Sequence, residues 1–174
     1  MEIRKIKVGY LQTNCYILVE DNKCIVIDPG DQFYSIQEQI GSNKLIGIII
    51  THRHSDHIGA LDHLVREYNV PVFDRSNLNE GAFELDNFHM NILYTPGHRE
   101  DCITIIFENY SVMFTGDFLF KGSIGRTDLE TGNMEQMQDS INKIKEYSDR
   151  YRVYPGHGDI TTLGEEKLTN PFLR

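Results

Sequence analysis

The sequence predicts a single α+β domain over residues 1–174, and three observations lead there. Short runs rich in β-branched residues are separated by turns. Stretches with helical spacing are interleaved with them in mixed order. One continuous apolar run, Leu45–Ile50, opens directly into a loop dense with histidine. The composition agrees: 40% hydrophobic and 25% charged residues describe a globular chain, neither disordered nor membranous. No apolar run approaches the ~20 residues of a transmembrane helix, and 174 residues suffice for one sizeable core.

Taken in order, Ile3–Val8, Cys15–Val19 and Cys24–Ile27 read as strands. Gln32–Ile40 follows Pro29-Gly30 and places Phe33, Ile36 and Ile40 on one helical face. Leu45–Ile50 is apolar throughout, as a strand covered on both faces must be. From Asp56 to Asn69 the spacing of Ile58, Leu61, Leu64, Val65 and Tyr68 predicts one helix. Strands follow at Val70–Phe73, His89–Tyr94, Ile103–Phe107 and Val112–Phe114. Asn133–Tyr147 is a helix with the stripe Met134, Met137, Ile141 and Ile144, and with Asn133 and Gln136 at capping-box spacing. A strand at Tyr151–Tyr154 and a closing helix at Glu165–Leu168 complete the reading.

The start Met1–Lys5 lacks the charged-then-apolar layout of a signal peptide. Cys15, Cys24 and Cys102 are odd in number and form no Cys-x-x-Cys pair, so buried reduced thiols and a cytoplasmic location are expected. A net charge of −9 argues against a nucleic-acid partner. The expected partner is a small molecule, with no membrane association and the oligomeric state left open.

The densest chemistry is Thr51-His52-Arg53-His54-Ser55-Asp56-His57. Nitrogen and oxygen donors packed this closely suit zinc or another borderline first-row metal. Four donors on one short loop cannot all reach a single small ion, which points to two metals. Further candidates lie where predicted strands end: His98 in Thr95-Pro96-Gly97-His98, Asp117 in Thr115-Gly116-Asp117, and His157 in Pro155-Gly156-His157-Gly158-Asp159. Proline fixes φ and glycine admits conformations closed to other residues, so each Pro-Gly turns the chain sharply and sets the following histidine on a rigid rim. His63 and His89 fall outside these blocks and are expected to be ordinary surface residues.

Together these four blocks resemble the metallo-β-lactamase fold superfamily, whose pattern is His-x-His-x-Asp-His followed by a histidine, a bridging aspartate and a last histidine. Thr13-Asn14-Cys15-Tyr16, Ile27-Asp28-Pro29-Gly30, the stretch Gly116–Phe120, the stretch Gly122–Asp128 and the tail Gly164–Leu173 are similar to the small glyoxalase II-like hydrolases. The resemblance covers nearly the whole chain. It implies an αβ/βα four-layer sandwich, two mixed β-sheets flanked by helices, with the metals at one edge. It puts His52, His54 and His98 on one ion, Asp56, His57 and His157 on the other, and Asp117 between them. The implied cofactors are two divalent ions, zinc first and iron or manganese as alternatives. The implied reaction is attack of a metal-bound hydroxide on a small thioester of the hydroxyacylglutathione type. Asp56 would also orient the nucleophile, and Asp28 is placed either to fix a histidine ring or to cap a turn.

Some positions depart from those relatives. Arg99-Glu100-Asp101-Cys102 follows His98 where a small neutral segment is common, so the wall of the cleft is charged. The connection from Phe73 to Phe83 is short, which implies an open cleft. The larger glyoxalase II enzymes continue into a helical domain that helps bind glutathione, and this sequence ends before it. Arg126, and more weakly Lys121, are candidate contacts for a substrate anion. The rival reading is a mononuclear iron dioxygenase acting on persulfides, on the same fold.

Overall fold

Alternation along the strands decides the architecture. In β2 (Thr13–Glu20) Tyr16 and Leu18 face one way and Cys15 and Ile17 the other, and all four are buried. A strand apolar on both faces needs cover on both faces. The computed structural model, which describes residues 1–174, supplies it with four layers, helix–sheet–sheet–helix.

The first sheet has the order β1 (Glu2–Val8), β2, β3 (Lys23–Ile27), β4 (Lys44–Ile49), β5 (Val72–Phe73), antiparallel through β3 and parallel from β3 to β5. The helices α1 (Phe33–Ile40), α2 (Ser55–Ile58) and α3 (Leu61–Tyr68) intervene along this half of the chain. The second sheet places β13 (Thr161–Thr162) beside β12 (Arg152–Pro155), then β9 (Val112–Gly116), β8 (Ile103–Phe107), β7 (Phe88–Tyr94) and β6 (Gly81–Leu85). Only the β12–β9 pair is parallel in it. A short hairpin, β10 (Leu119–Phe120) and β11 (Ser123–Ile124), lies outside both sheets. The chain closes with α4 (Met134–Lys145) and α5 (Leu163–Thr169).

Three apolar clusters hold the layers together. Between the sheets, Tyr16, Leu18, Ile25 and Ile27 meet Ile92, Ile105, Phe107 and Phe114. On the outer face of the first sheet, Ile17, Val26 and Ile48 pack against Ile36 and Ile40 of α1 and Leu61 and Leu64 of α3. On the outer face of the second, Ile106, Met113 and Val153 pack against Met137, Ile141 and Ile144 of α4. All three cysteines are buried and free, as expected. No helix is long and apolar enough to cross a membrane.

The structure departs from the sequence reading in four places. The single helix expected from Asp56 to Asn69 is two, because Ala60 N donates to Pro29 O instead of continuing the helix, and Gly59 sits so close to Gly30 O that a Cβ would collide with it. The strand expected at Val70–Phe73 is only Val72–Phe73. Met134 is 48% exposed and leaves the α4 stripe to Met137, Ile141 and Ile144, although Asn133 caps the helix as expected, accepting from Gln136 N at 3.0 Å. The strands β6, β10, β11 and β13 were not foreseen. Of these β6 had a signal: Phe83 and Leu85 before the Asp86-Asn87 turn, Phe88 and Met90 after it.

Phe114 lies at the centre of the inter-sheet core, with ring centroids of Tyr16 and Tyr154 each 5.0 Å away. Phe114→Ala should cost about 3–5 kcal/mol, read as a lower denaturant midpoint at unchanged m-value; a loss below about 1 kcal/mol would contradict this placement.

Candidate metal centre

Every block of candidate ligands sits at the C-terminal end of a strand, and the two sheets present these ends at one edge. β3 runs into Asp28, β4 into the stretch Thr51–His57, β7 into His98, β9 into Asp117 and β12 into His157. Backbone bonds stitch the two sheets at this edge. Asn14 N donates to Gly156 O at 2.7 Å, and Ile103 N donates to Thr51 O at 2.9 Å. The Asn14 side chain, fully buried, donates to Pro155 O and Gly158 O.

The edge gathers seven donors in two groups, His52, His54, His98 and Asp117 in one and Asp56, His57 and His157 in the other. Within each group the donor atoms lie no more than 4.8 Å apart. Asp117 reaches both: Oδ2 is 3.6 Å from His98 Nε2 and 3.4 Å from His157 Nε2, while Oδ1 is 3.3 Å from His57 Nε2. His63 and His89 lie elsewhere, His63 against the Phe33 ring and His89 beside the exposed Glu84.

The outward nitrogens of these rings are tied down, which fixes what the inward ones present. His57 Nδ1 donates to Asp28 Oδ2 at 2.9 Å, His98 Nδ1 to Arg126 O at 2.8 Å and His157 Nδ1 to Leu11 O at 3.2 Å. Thr51 Oγ1 spends its proton on Asp28 Oδ2, so it accepts from His52 Nδ1 at 3.2 Å. Each Nε2 thereby faces the centre, as the acceptor of a neutral ring or the seat of the second proton of a charged one. Three ring nitrogens crowd together, with His54 Nδ1 3.0 Å from His52 Nε2 and 2.9 Å from His98 Nε2. His57 Nε2 and Asp117 Oδ1 are buried with no hydrogen-bond partner at all. A proton on His54 Nδ1 can satisfy only one of its two contacts, and a buried polar atom without a partner is unfavourable, so the cluster calls for a cation, proton or metal, among its donors. The donor set therefore fits divalent metal.

In the metal-free cluster, protons on His57 and His157 take the place of such a cation. Burial disfavours a charged His57, yet Asp28 and Asp117 outweigh it and hold its pKa up to about 10. His157 is also desolvated, but Asp117 and Asp56 raise it to about 9. Asp117 stays well below the carboxylate range despite its burial, through His157 and His57. His52 and His54 move down, first by burial and then by neighbouring imidazoles.

Asp28 is the ring-fixing residue rather than a mere turn former: its Oδ1 accepts from Thr51 N as well. Thr51 and Thr13, which donates to Asp56 Oδ2 at 2.8 Å, were not anticipated; their adjacency to ligand blocks was the only available signal. Arg126 places its carbonyl, not its side chain, on the cluster. Its exposed guanidinium forms a fork with Asp128 at 2.7 and 2.8 Å, with which a substrate anion would have to compete. Lys121 is exposed on the β10–β11 hairpin, whose Phe120 ring lies 6.1 Å from that of His157.

The sequence that builds this His/Asp centre matches the family described as the Metallo-beta-lactamase superfamily over residues 8–80 and 77–157, and the chain belongs to that superfamily. Among its relatives, a probable metallo-hydrolase, YqgX of Bacillus subtilis, is 32% identical over 99% of this chain and 98% of its own length. The hydroxyacylglutathione hydrolase GloC of Haemophilus influenzae has the same identity and coverage. Among solved structures, the BLEG-1 B3 metallo-beta-lactamase superposes with a TM-score of 0.95 at 30% identity, covering 99% of both chains. ETHE1 from Myxococcus xanthus gives 0.91 at 28%, covering 98% of this chain and 84% of its own. TTHA1623, solved in a di-iron-bound form, gives 0.89 at 29%, covering 98% and 100%.

Two predictions follow from the geometry. A Cβ on Gly156 would collide with Asp117 Oδ1 and lie 2.8 Å from His57 Cε1, so Gly156→Ala should lower metal content while leaving the far-UV spectrum intact; full retention of metal would contradict the close approach. Metal loading must also displace the protons that His57 and His157 hold at neutral pH. Loading at pH 7 should release protons, and apparent affinity should rise with pH towards about 9 to 10. Calorimetric titration in buffers of different ionisation enthalpy measures this, and a heat independent of buffer would refute it.

Proposed function

We propose that this chain is a dinuclear metal-dependent hydrolase that cleaves a small thioester of the hydroxyacylglutathione type. The observation that carries the reading is the Asp117 carboxylate standing between two groups of donors, with its Oδ1 and His57 Nε2 lacking any protein partner. His52, His54 and His98 would hold one ion, Asp56, His57 and His157 the other, and Asp117 both. Imidazole and carboxylate together suit zinc, with iron or manganese as alternatives. The likeness to a hydroxyacylglutathione hydrolase along the full chain supports the thioester as substrate.

Paired ions, when bound, lower the pKa of a coordinated water from 15.7 towards ~7 and polarise a carbonyl oxygen. The protein's own residues do the positioning. Asp56 is ionised, its pKa held low by His157, His57 and Thr13 against the opposing effect of burial. Thr13 Oγ1 fixes Asp56 Oδ2, so the carboxylate can accept a hydrogen bond from the attacking water and aim its lone pair. Asp28 and Thr51 keep His57 and His52 in one tautomer and one orientation. A thiolate leaves readily, so no residue has to protonate it.

A second reading, the mononuclear iron dioxygenase of persulfides, draws on one feature. His52 and His98 are nearly inaccessible, whereas the side chains of His157 and Asp56 are 27% and 21% exposed, so the first group could hold an ion alone. The likeness to ETHE1 fits either reading.

Elemental analysis of protein purified without added metal should give about two ions per chain. Asp117→Ala should lose metal and lower thioester turnover by more than about 100-fold, while His63→Ala keeps both within about twofold. One tightly bound iron per chain, with oxygen uptake on glutathione persulfide and no thioester hydrolysis, would transfer the assignment to the dioxygenase.

A further inference from the structure

Beside the donor cluster lies a cavity of about 330 Å³ that shares His52 with it and has no hydrophobic residue in its wall. The charged groups of that wall divide into those already satisfied and those left over. Asp74 is satisfied: Oδ1 accepts from the backbone and hydroxyl of Ser76, and Oδ2 from Arg53 Nε at 2.7 Å. Asp101 is satisfied too, by Arg99 Nε at 2.8 Å and by Arg53 N at 3.0 Å. Arg75 and Glu100 remain. The Arg75 guanidinium is held 3.6 Å from the centroid of the Tyr94 ring, and no carboxylate lies within ion-pairing distance of it. Glu100 is exposed and its carboxylate accepts no hydrogen bond; only its backbone N is engaged, by Thr131 Oγ1.

A half-buried cation laid on an aromatic face has already lost much of its side-chain freedom, so it binds an anion with little further ordering cost. Glu100 in the same wall decides which anion is accepted. A phosphate or a second carboxylate would be repelled by it, whereas a carboxylate accompanied by an ammonium group matches both residues. Arg126 offers no such site, being exposed and already paired with Asp128.

We propose that this cavity receives the α-amino-acid end of the thiol half of the substrate, with the carboxylate on Arg75 and the ammonium on Glu100. The inference rests on the thioester reading above for the bond that is cut, but the subsite itself is a matter of binding. It makes Arg75 and Glu100 residues that set specificity, without touching the reacting carbonyl.

The test uses the metal-replete protein and S-methylglutathione, a thioether that carries the zwitterionic end but no bond to hydrolyse, together with its N-acetyl derivative. Calorimetry should show S-methylglutathione binding to the wild type and binding about tenfold more weakly to Arg75→Ala, as loss of one partly exposed charge-assisted bond requires. N-acetylation should weaken binding to the wild type by a similar factor and should have little effect on Glu100→Gln. For S-lactoylglutathione, Arg75→Ala should raise KM about tenfold with a smaller fall in kcat. Equal thioether affinity in the wild type and a metal-replete Arg75→Ala overturns the proposal, as does a wild type that does not bind the thioether. Should Arg75→Ala fail to fold, the Glu100→Gln comparison decides alone: an N-acetyl penalty equal to that of the wild type overturns it. Arg75-dependent thioether binding without thioester hydrolysis would sink the assigned reaction and leave the subsite standing.

Discussion

Seven donor groups sharing one small space is the constraint on which the rest of this structure depends. Imidazole nitrogens about 3 Å apart, beside a buried carboxylate oxygen that has no partner, form an arrangement that folding alone disfavours. It persists because the surroundings over-determine it. Asp28, 1% exposed, accepts from Thr51 N, Thr51 Oγ1 and His57 Nδ1 at once. Rotating the fully buried His57 ring would break its bond to Asp28.

The four-layer architecture is what makes such over-determination possible. The donors come from strand ends of two different sheets, so their relative positions are set by how the sheets pack. Tyr16 illustrates the coupling. Its ring stands edge-on to Phe114 in the inter-sheet core, and its hydroxyl donates to Pro155 O at 2.6 Å, immediately before the Gly156-His157 turn. Core packing and ligand position are thus one problem. Gly116 adds to it: with φ of +50° it occupies the left-handed region, and a Cβ there would collide with Thr51 Oγ1. A side chain at that position would push apart the ends of β4 and β9.

Around this rigid centre the cleft wall is polar and divided in character. Asp74 and Asp101 bind Arg53 and Arg99 and so act as struts for the loops that carry them. The fully exposed Arg126–Asp128 fork contributes little to stability, since water and salt screen it. The unsatisfied pair Arg75 and Glu100 differs in kind: one is anchored on Tyr94, the other free, and both lie in a cavity that touches the cluster. A net charge of −9 therefore says little about the charge of a small substrate, because local pairing rather than total charge decides what the cleft attracts.

The donor set and most of the strands were legible in the sequence. The His-x-His-x-Asp-His block, the Pro-Gly turns and the apolar run before them reflect local demands: ligand chemistry, φ restriction and burial, each encoded within a few residues. The alternating strands and the α4 stripe were legible for the same reason, as periodicity is local. The two-residue strands β10, β11 and β13 were not, since pairs of residues carry no period and exist only because a neighbour bonds to them. The break at Gly59 was hidden too, because the helical spacing continues through it and Pro29 O, thirty-one positions earlier than Ala60, takes the bond. Likewise the sequence reading singled out Arg126 as an anion contact and passed over Arg75. Tertiary structure separated them by placing Asp128 against one and an aromatic ring beneath the other. What the sequence determined by itself was which residues could bind metal; which way their rings face, and which charges stay free beside them, depends on contacts between segments far apart in the chain, and only the packing of the two sheets decides those.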